Sequence, residues 1–308
     1  MQNMLQTGID SRTKDDLISE TREIMSFGKW QEHSIKSYLS YIVPFIDYCT
    51  DQLGIHPSQA DEKIARDFIN KIQDDRDLSD STVNGIISKL AWFYEGPLHL
   101  PWNSVLVPFR KVRGYMPYVP SPEVVEKFLD GWTDLRAKSF VCLVYGSGPR
   151  TSEVCRLQFQ NVQKSNMMLY ISSLAKNGED RLIQLPRTTL DMLTQYLLEQ
   201  PENIRATYSF ESYLYPCRAN LTRHICGADI NSAIHLREEE LGWEHKLNVY
   251  SFRRAFATHN YMSKNLTLEE LMLALGHKFP TTTKRYLRPG LMQLQPLHEN
   301  AMDSMEIH

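Results

Sequence analysis

No apolar run in this 308-residue chain reaches the ~18 residues that a membrane-spanning helix needs. Cysteine is scarce: Cys49, Cys142, Cys155, Cys217 and Cys226 include no C-x-x-C pair. Without a signal peptide ahead of them, they are expected to be reduced thiols of a soluble cytoplasmic protein. Charge of one sign is also lacking. Lys and Arg number 34 against 37 Asp and Glu, so the chain is not generally basic, and any nucleic-acid site has to be a local patch. There is no internal repeat and no low-complexity tract. With 42% hydrophobic and 23% charged residues, disordered, collagen-like and disulfide-scaffold classes are excluded. The length suits two domains of roughly 150 residues each.

Charge is unevenly spread. Residues 1–110 hold 11 basic and 16 acidic side chains, the remainder 23 and 21. Val249–Gly290 carries seven basic residues (Arg253, Arg254, Lys264, Lys278, Lys284, Arg285, Arg288) against Glu269 and Glu270.

The first twenty residues are polar and non-periodic, which predicts a flexible tail. Residues 21–110 read as a helical bundle: Ile35, Tyr38, Leu39 and Ile42 make one helical stripe, Ile64, Phe68 and Ile72 another. Val83, Ile86, Ile87 and Leu90 make a third, after a start signal at Asp80-Ser81-Thr82. Six prolines between Gly96 and Pro122 exclude a continuous helix and suggest a linker, placed at 111–120. Ser121-Pro122-Glu123 restarts order, with Ser as N-cap and Pro at the first helical position. An apolar helix through Phe140–Tyr145 ends at Gly146-Ser147-Gly148-Pro149. Met167–Ser172 and Arg181–Leu185 read as the strands of a hairpin with Lys176 near its tip, since Asn177-Gly178 favours a tight reversal. Thr267-Leu268-Glu269-Glu270 is a capping box opening a helix that Gly276 ends.

Four separated segments combine chemically suggestive residues. They are Gly148-Pro149-Arg150-Thr151-Ser152-Glu153, Lys176, Tyr250-Ser251-Phe252-Arg253, and Leu275-Gly276-His277 with Tyr286 nine residues on. Their order and spacing over about Ser121–Pro289 resemble the tyrosine recombinase family of site-specific DNA recombinases (phage integrases and Xer-like proteins). The region before them resembles that family's SAM-like core-DNA-binding domain, with weaker motifs.

The resemblance implies a mainly α protein with a small β-sheet in its catalytic domain, arranged as a two-domain C-shaped DNA clamp. The catalytic domain would span 121–289, with a subunit-exchanging tail at 290–308. It implies that Arg150 and Arg253 clamp the scissile phosphate, where two forked guanidiniums suit the charge that builds on its oxygens. Lys176 would protonate the departing 5′-oxygen, and Tyr286 would be the nucleophile. His277 would hydrogen-bond the phosphate, and Glu153 would orient the arginines. Tyr250 departs from the family, which usually has histidine there. At i, i+3 from Arg253 it can still face the phosphate, but a phenol is a poor general base near neutrality. The base is then His277 or water. His259 is expected to be structural.

Covalent catalysis of this kind stores the bond energy and needs neither metal nor cofactor. The implied partners are double-stranded DNA with a specific core site, a homo-tetramer on that DNA, and accessory DNA-bending proteins. The source would be a bacterium or a viral element, with the protein at the nucleoid when acting. Lys29, Lys36, Lys89, Lys284 and Arg285 are further DNA-contact candidates, each weighed against a merely solvated lysine or arginine. Cys217, His224 and Cys226 fit no common zinc spacing. Two other readings stay open: a type IB topoisomerase, and an accessory DNA-binding protein that has lost catalysis.

Overall fold

A computed structural model describes residues 10–112, 116–172, 179–244 and 246–294. The chain divides into two compact units, Met1–Gly114 and Tyr115–His308.

The N-terminal unit holds α1 (Lys14–Phe27), α2 (Glu32–Asp47), α3 (Glu62–Arg76) and α4 (Asp80–Glu95). The first departs from the expected flexible tail. Thr13 and Asp16 form a capping box that satisfies the free N–H groups at the helix start, and Leu17, Thr21 and Met25 bury its inner face. Thr21 sits in the middle of that inner face and interrupts the apolar spacing of Leu17 and Met25, so the cap is the clearer mark of this helix. The N-cap of α4 is Ser79, one residue before the expected signal, and its side chain accepts from the Thr82 N–H. Phe45 sits at the centre of the core, edge-on to Phe68 at 5.2 Å between ring centroids and near Phe93 and Tyr94.

The proline-rich stretch is not all free linker. Leu98 and Val107 are buried in the helical core. Asn84 pins Arg110 at both backbone groups, accepting from its N–H at 2.7 Å and donating to its carbonyl at 3.0 Å.

The C-terminal unit begins with α5 (Pro122–Leu129), capped by Ser121 as expected, and α6 (Leu135–Ser147). Gly148 ends α6 at φ 72°, with the Phe256 ring so close that an added Cβ would lie 2.4 Å from it. Only glycine combines that backbone with that packing. Then come α7 (Thr151–Cys155) and an antiparallel sheet of β1 (Val162–Gln163), β2 (Met168–Ile171) and β3 (Arg181–Gln184). The hairpin register pairs Met168 with Gln184 and Ile171 with Arg181. Lys176, expected near the tip, lies outside the described residues.

The chain continues through α8 (Arg187–Leu198), α9 (Glu202–Arg205), a small ribbon of β4 (Pro216–Cys217) and β5 (Asn220–His224), and α10 (Gly227–Glu240). It closes with α11 (Val249–Met262), α12 (Leu268–Leu275) and α13 (Pro280–Leu294). The unit is mostly helical with small antiparallel sheets. Phe140, Val144, Leu169, Ile183, Tyr215 and Phe252 are among its buried core. A smaller cluster of Phe256, Ala257, Leu271, Leu275 and Leu287 joins α11, α12 and α13 beneath the candidate site. Residues 290–294, expected to open a tail, are the last turn of α13, and Leu291 packs on that cluster.

Candidate active site

Tyr286, on α13, is the centre of the arrangement. Its ring lies edge-on to Tyr250 at 5.4 Å and to His277 at 5.5 Å, with the Arg253 and Arg254 guanidiniums each 5.9 Å from its centroid. Its hydroxyl is buried without a hydrogen-bond partner among the described residues. Burial pushes this phenol above its ordinary pKa. Arg253 pulls the other way, and Tyr250 adds to the rise.

Arg253 is buried on α11, 2% exposed. Its Nη1 donates to the Gly148 carbonyl at 2.6 Å and its Nη2 to the Leu275 carbonyl at 2.7 Å, while Nε is buried and unpaired. Burial holds its pKa below the usual guanidinium value. Arg150 is the N-cap of α7 and remains partly exposed. It donates from Nη2 to the Gly276 carbonyl at 2.8 Å and from Nη1 to Glu153 at 3.0 Å. Glu153, expected to orient the arginines, also accepts from the Arg150 backbone N–H at 2.6 Å. Its carboxylate is bound on its other side by Arg181, which the motifs did not single out.

His277 follows the left-handed Gly276 that ends α12. Its Nδ1 is 3.0 Å from the hydroxyl of Thr283, which is fully buried. Nε2 is therefore the nitrogen left for other partners. Burial and then the charges of Arg253, Arg150 and Arg181 push its pKa down to about 4, so the ring is neutral near pH 7. The motifs did not single out Thr283. Its role comes from the turn at Pro280 that brings α13 back beside the end of α12.

Four separate segments of sequence thus converge: Arg150 and Glu153 from α7, Tyr250 and Arg253 from α11, His277 after α12, and Tyr286 from α13. Tyr250 is 44% exposed and stacks with Arg254, whose Cζ is 4.5 Å from its ring centroid. Lys284 and Arg285 are exposed on α13 beside Tyr286. His259 uses both ring nitrogens structurally, with Tyr145 Oη at 2.9 Å and the Pro120 carbonyl at 3.1 Å.

The other basic candidates lie in the N-terminal unit. Lys36 is exposed and 4.0 Å from Glu32. Lys29 occupies a left-handed turn position after α1. Lys89 lies over the Tyr41 ring at 4.4 Å. Among the described residues, no group of three or more His, Cys, Asp or Glu is placed to hold a metal ion.

Residues 121–290 match the phage integrase family, and residues 17–104 match the phage integrase N-terminal SAM-like domain. Tyrosine recombinase XerC of Rickettsia conorii is 24% identical over 320 residues, covering 97% of this chain and 98% of that protein. XerC of Rickettsia peacockii is 24% identical over 298 residues, covering 88% and 91%. Among solved structures, the Tn1549 transposon integrase in complex with circular intermediate DNA aligns with a TM-score of 0.68 at 15% identity. That alignment covers 94% of this chain and 99% of that one. A lambda integrase dimer bound to a core site gives 0.70 at 12% identity, covering 93% and 80%. These two share the fold.

Proposed function

Because the chain belongs to the phage integrase family, we propose that it is a site-specific DNA recombinase that cuts and rejoins double-stranded DNA through Tyr286. The observation that carries this reading is the Tyr286 hydroxyl, buried and unpaired, ringed by Arg253, Arg254, His277 and Tyr250. Buried polar groups are rarely left unsatisfied in a folded protein. Here the unpaired phenol and the unpaired Arg253 Nε are satisfied together by a phosphate group, which takes donors from arginine and attack from the phenol.

In the proposed step the Tyr286 oxygen attacks a backbone phosphorus in line with the bond to the 5′-oxygen. That bond breaks, leaving a 3′-phosphotyrosine and a 5′-hydroxyl. Negative charge on the two nonbridging oxygens is met by Arg150 and by the remaining N–H groups of Arg253. Preorganised donors of this kind act most strongly where water is excluded. The phenol proton passes to Nε2 of His277, neutral at working pH and turned by Thr283. Tyr250 then serves as a hydrogen-bond donor to the phosphate, which is the role a phenol performs well. Lys176 supplies the proton to the departing 5′-oxygen. Attack of a 5′-hydroxyl from a second duplex reverses the step and transfers the strand, passing through a Holliday junction. Lys284 and Arg285 hold the flanking phosphates, and Lys29, Lys36 and Lys89 hold the duplex from the N-terminal unit.

Two duplexes present four strands to cut, so the working assembly is a homo-tetramer on paired core sites, with the residues after Leu294 as the subunit contact. Integration, excision or resolution of a DNA element uses the same four cuts, with DNA-bending proteins as accessory partners.

The test is a duplex selected from a random pool for binding, carrying a nick beside the cleavage point so that the cut fragment diffuses away. A covalent protein–DNA band on a denaturing gel, followed by strand exchange with a second duplex, is expected. Relaxation of supercoils without exchange would indicate the topoisomerase reading. Tight binding with no covalent band would indicate an accessory DNA-binding protein.

A further inference from the structure

Three arginines bind three consecutive carbonyls at the end of α12. Arg181 Nε donates to Ala274 at 3.0 Å, Arg253 Nη2 to Leu275 at 2.7 Å, and Arg150 Nη2 to Gly276 at 2.8 Å. The last carbonyls of a helix have no intrahelical donor and form the negative end of its dipole, so cations are favoured there. Arg253 and Arg150 already have places in the proposed reaction. Arg181 does not, and the way its donors are spent explains what it is for.

Arg181 opens β3, and its side chain is 11% exposed. Its Nη1 and Nη2 grip both oxygens of Glu153, at 3.0 and 2.8 Å. The same carboxylate takes the backbone N–H and Nη1 of Arg150. Glu153 is therefore a bridge between two guanidiniums, one facing inward and one partly open to solvent. Burial alone would push its carboxyl pKa up, but the Arg181 hydrogen bonds and charge hold it below the usual range. Gly276 belongs to this frame too: an added Cβ there would lie 2.9 Å from Arg181 Nη1 and 3.2 Å from Arg150 Nη1.

We propose that Arg181 is a positioning residue for DNA cleavage, joining the base of the hairpin, Glu153 and the end of α12 into one frame that sets where Arg150 and His277 meet the phosphate. The catalytic purpose rests on the recombinase reading above. Arg181 itself touches no reacting atom. Its bidentate hold on Glu153 needs the planar fork of arginine, which lysine does not offer. The frame also ties the α12 end to the strand that follows the Lys176 connection.

The experiment compares wild type, Arg181→Met, Arg181→Lys, Glu153→Gln and the Arg181→Met/Glu153→Gln double variant. Three quantities are read: the Kd for the selected duplex, the single-turnover rate of covalent adduct formation on the nicked duplex, and hydrogen exchange of the peptide spanning 274–279 in the free protein. Arg181→Met is expected to slow adduct formation about 100-fold, with Kd changed less than about threefold. Arg181→Lys is expected to recover about tenfold of that loss by restoring the charge. In the Glu153→Gln background, adding Arg181→Met is expected to cost less than about threefold, because the bridge is already broken.

A rate for Arg181→Met within about threefold of wild type would overturn the proposal. So would a loss as large in the Glu153→Gln background as alone, or a loss that lies in Kd. Should Arg181→Met not fold, Arg181→Lys completes the same cycle with Glu153→Gln. Faster exchange at 274–279 in the variants is expected whether or not the protein cleaves DNA. If wild type forms no adduct while exchange rises, the recombinase reading fails and the frame stands. Unchanged exchange removes the frame itself.

Discussion

In the N-terminal unit the large buried side chains are apolar or aromatic, and Thr21 is the one polar residue among its fully buried set in the described residues. In the C-terminal unit the largest fully buried side chain is an arginine, and Glu153, Arg237 and Glu238 are buried with it. The difference separates two ways of holding a structure together. The helical unit depends on removing apolar area from water, a non-directional term worth about 1.5–3 kcal/mol for each large side chain. The other unit also buries charges, and burying a charge is tolerated only where hydrogen bonds are aimed at it. For Glu153 and Arg253 those bonds gather at the site around Tyr286 and His277, whereas Arg237 binds the Phe128 and Asp130 carbonyls and Glu238 the Lys246 and Leu247 N–H groups.

Substitutions should therefore act in different currencies on the two sides. Phe45→Ala, at the centre of the aromatic cluster, should destabilise the N-terminal unit by about 3–5 kcal/mol, seen as a separate early transition in thermal unfolding. A single unchanged transition would mean that the two cores melt as one. Arg253→Met should instead slow adduct formation about 10³-fold, about 4 kcal/mol in the barrier, while lowering stability by only about 1–3 kcal/mol. A variant that lost stability in proportion to activity would erase the contrast.

Gly276→Ala should cost about 1–2 kcal/mol from its left-handed backbone alone, because φ is 62°. The crowding against Arg181 and Arg150 should add a tenfold or greater loss of cleavage, on the order of that found when a preorganised donor shifts. Equal activity in this variant would show that the arginines are not held by the helix end.

The smallest effect is expected at Thr283→Val, which removes the hydroxyl partner of His277 Nδ1 and should slow cleavage about tenfold. His277 also sets a pH dependence. Its folded pKa of about 4 lies below the ~6.5 of an unfolded histidine, so the unfolded chain takes up the proton first. Stability contributed by neutral His277 is present above about pH 6.5 and is lost as pH falls toward 4. Tm measured across that window should fall less in His277→Asn than in wild type.

The two regions also differ in how much of them the sequence discloses. The stripes of α2, α3 and α4 are local, repeat at helical spacing, and were legible at once. So were the caps at Ser121, Thr267 and Gly276, because a cap is a property of a few adjacent residues. The start at Lys14 was missed since its signal is a Thr13–Asp16 pair and not a stripe. Arg150, Arg253, His277 and Tyr286 were singled out by their order along the chain. Nothing in that order says that Arg150 and Arg181 share one carboxylate, or that three arginines meet three consecutive carbonyls. Those contacts join segments 22 to 126 residues apart, and only the folded chain brings them together.

The exposed Tyr250 beside the half-buried Tyr286 makes the identity of the nucleophile the sharpest question. The direct measurement is to trap the protein on the nicked duplex, digest the adduct with protease and nuclease, and sequence the nucleotide-bearing peptide by mass spectrometry. The account predicts one modified residue, Tyr286, and no adduct in Tyr286→Phe. A nucleotide on Tyr250, or an adduct that survives in Tyr286→Phe, would contradict it.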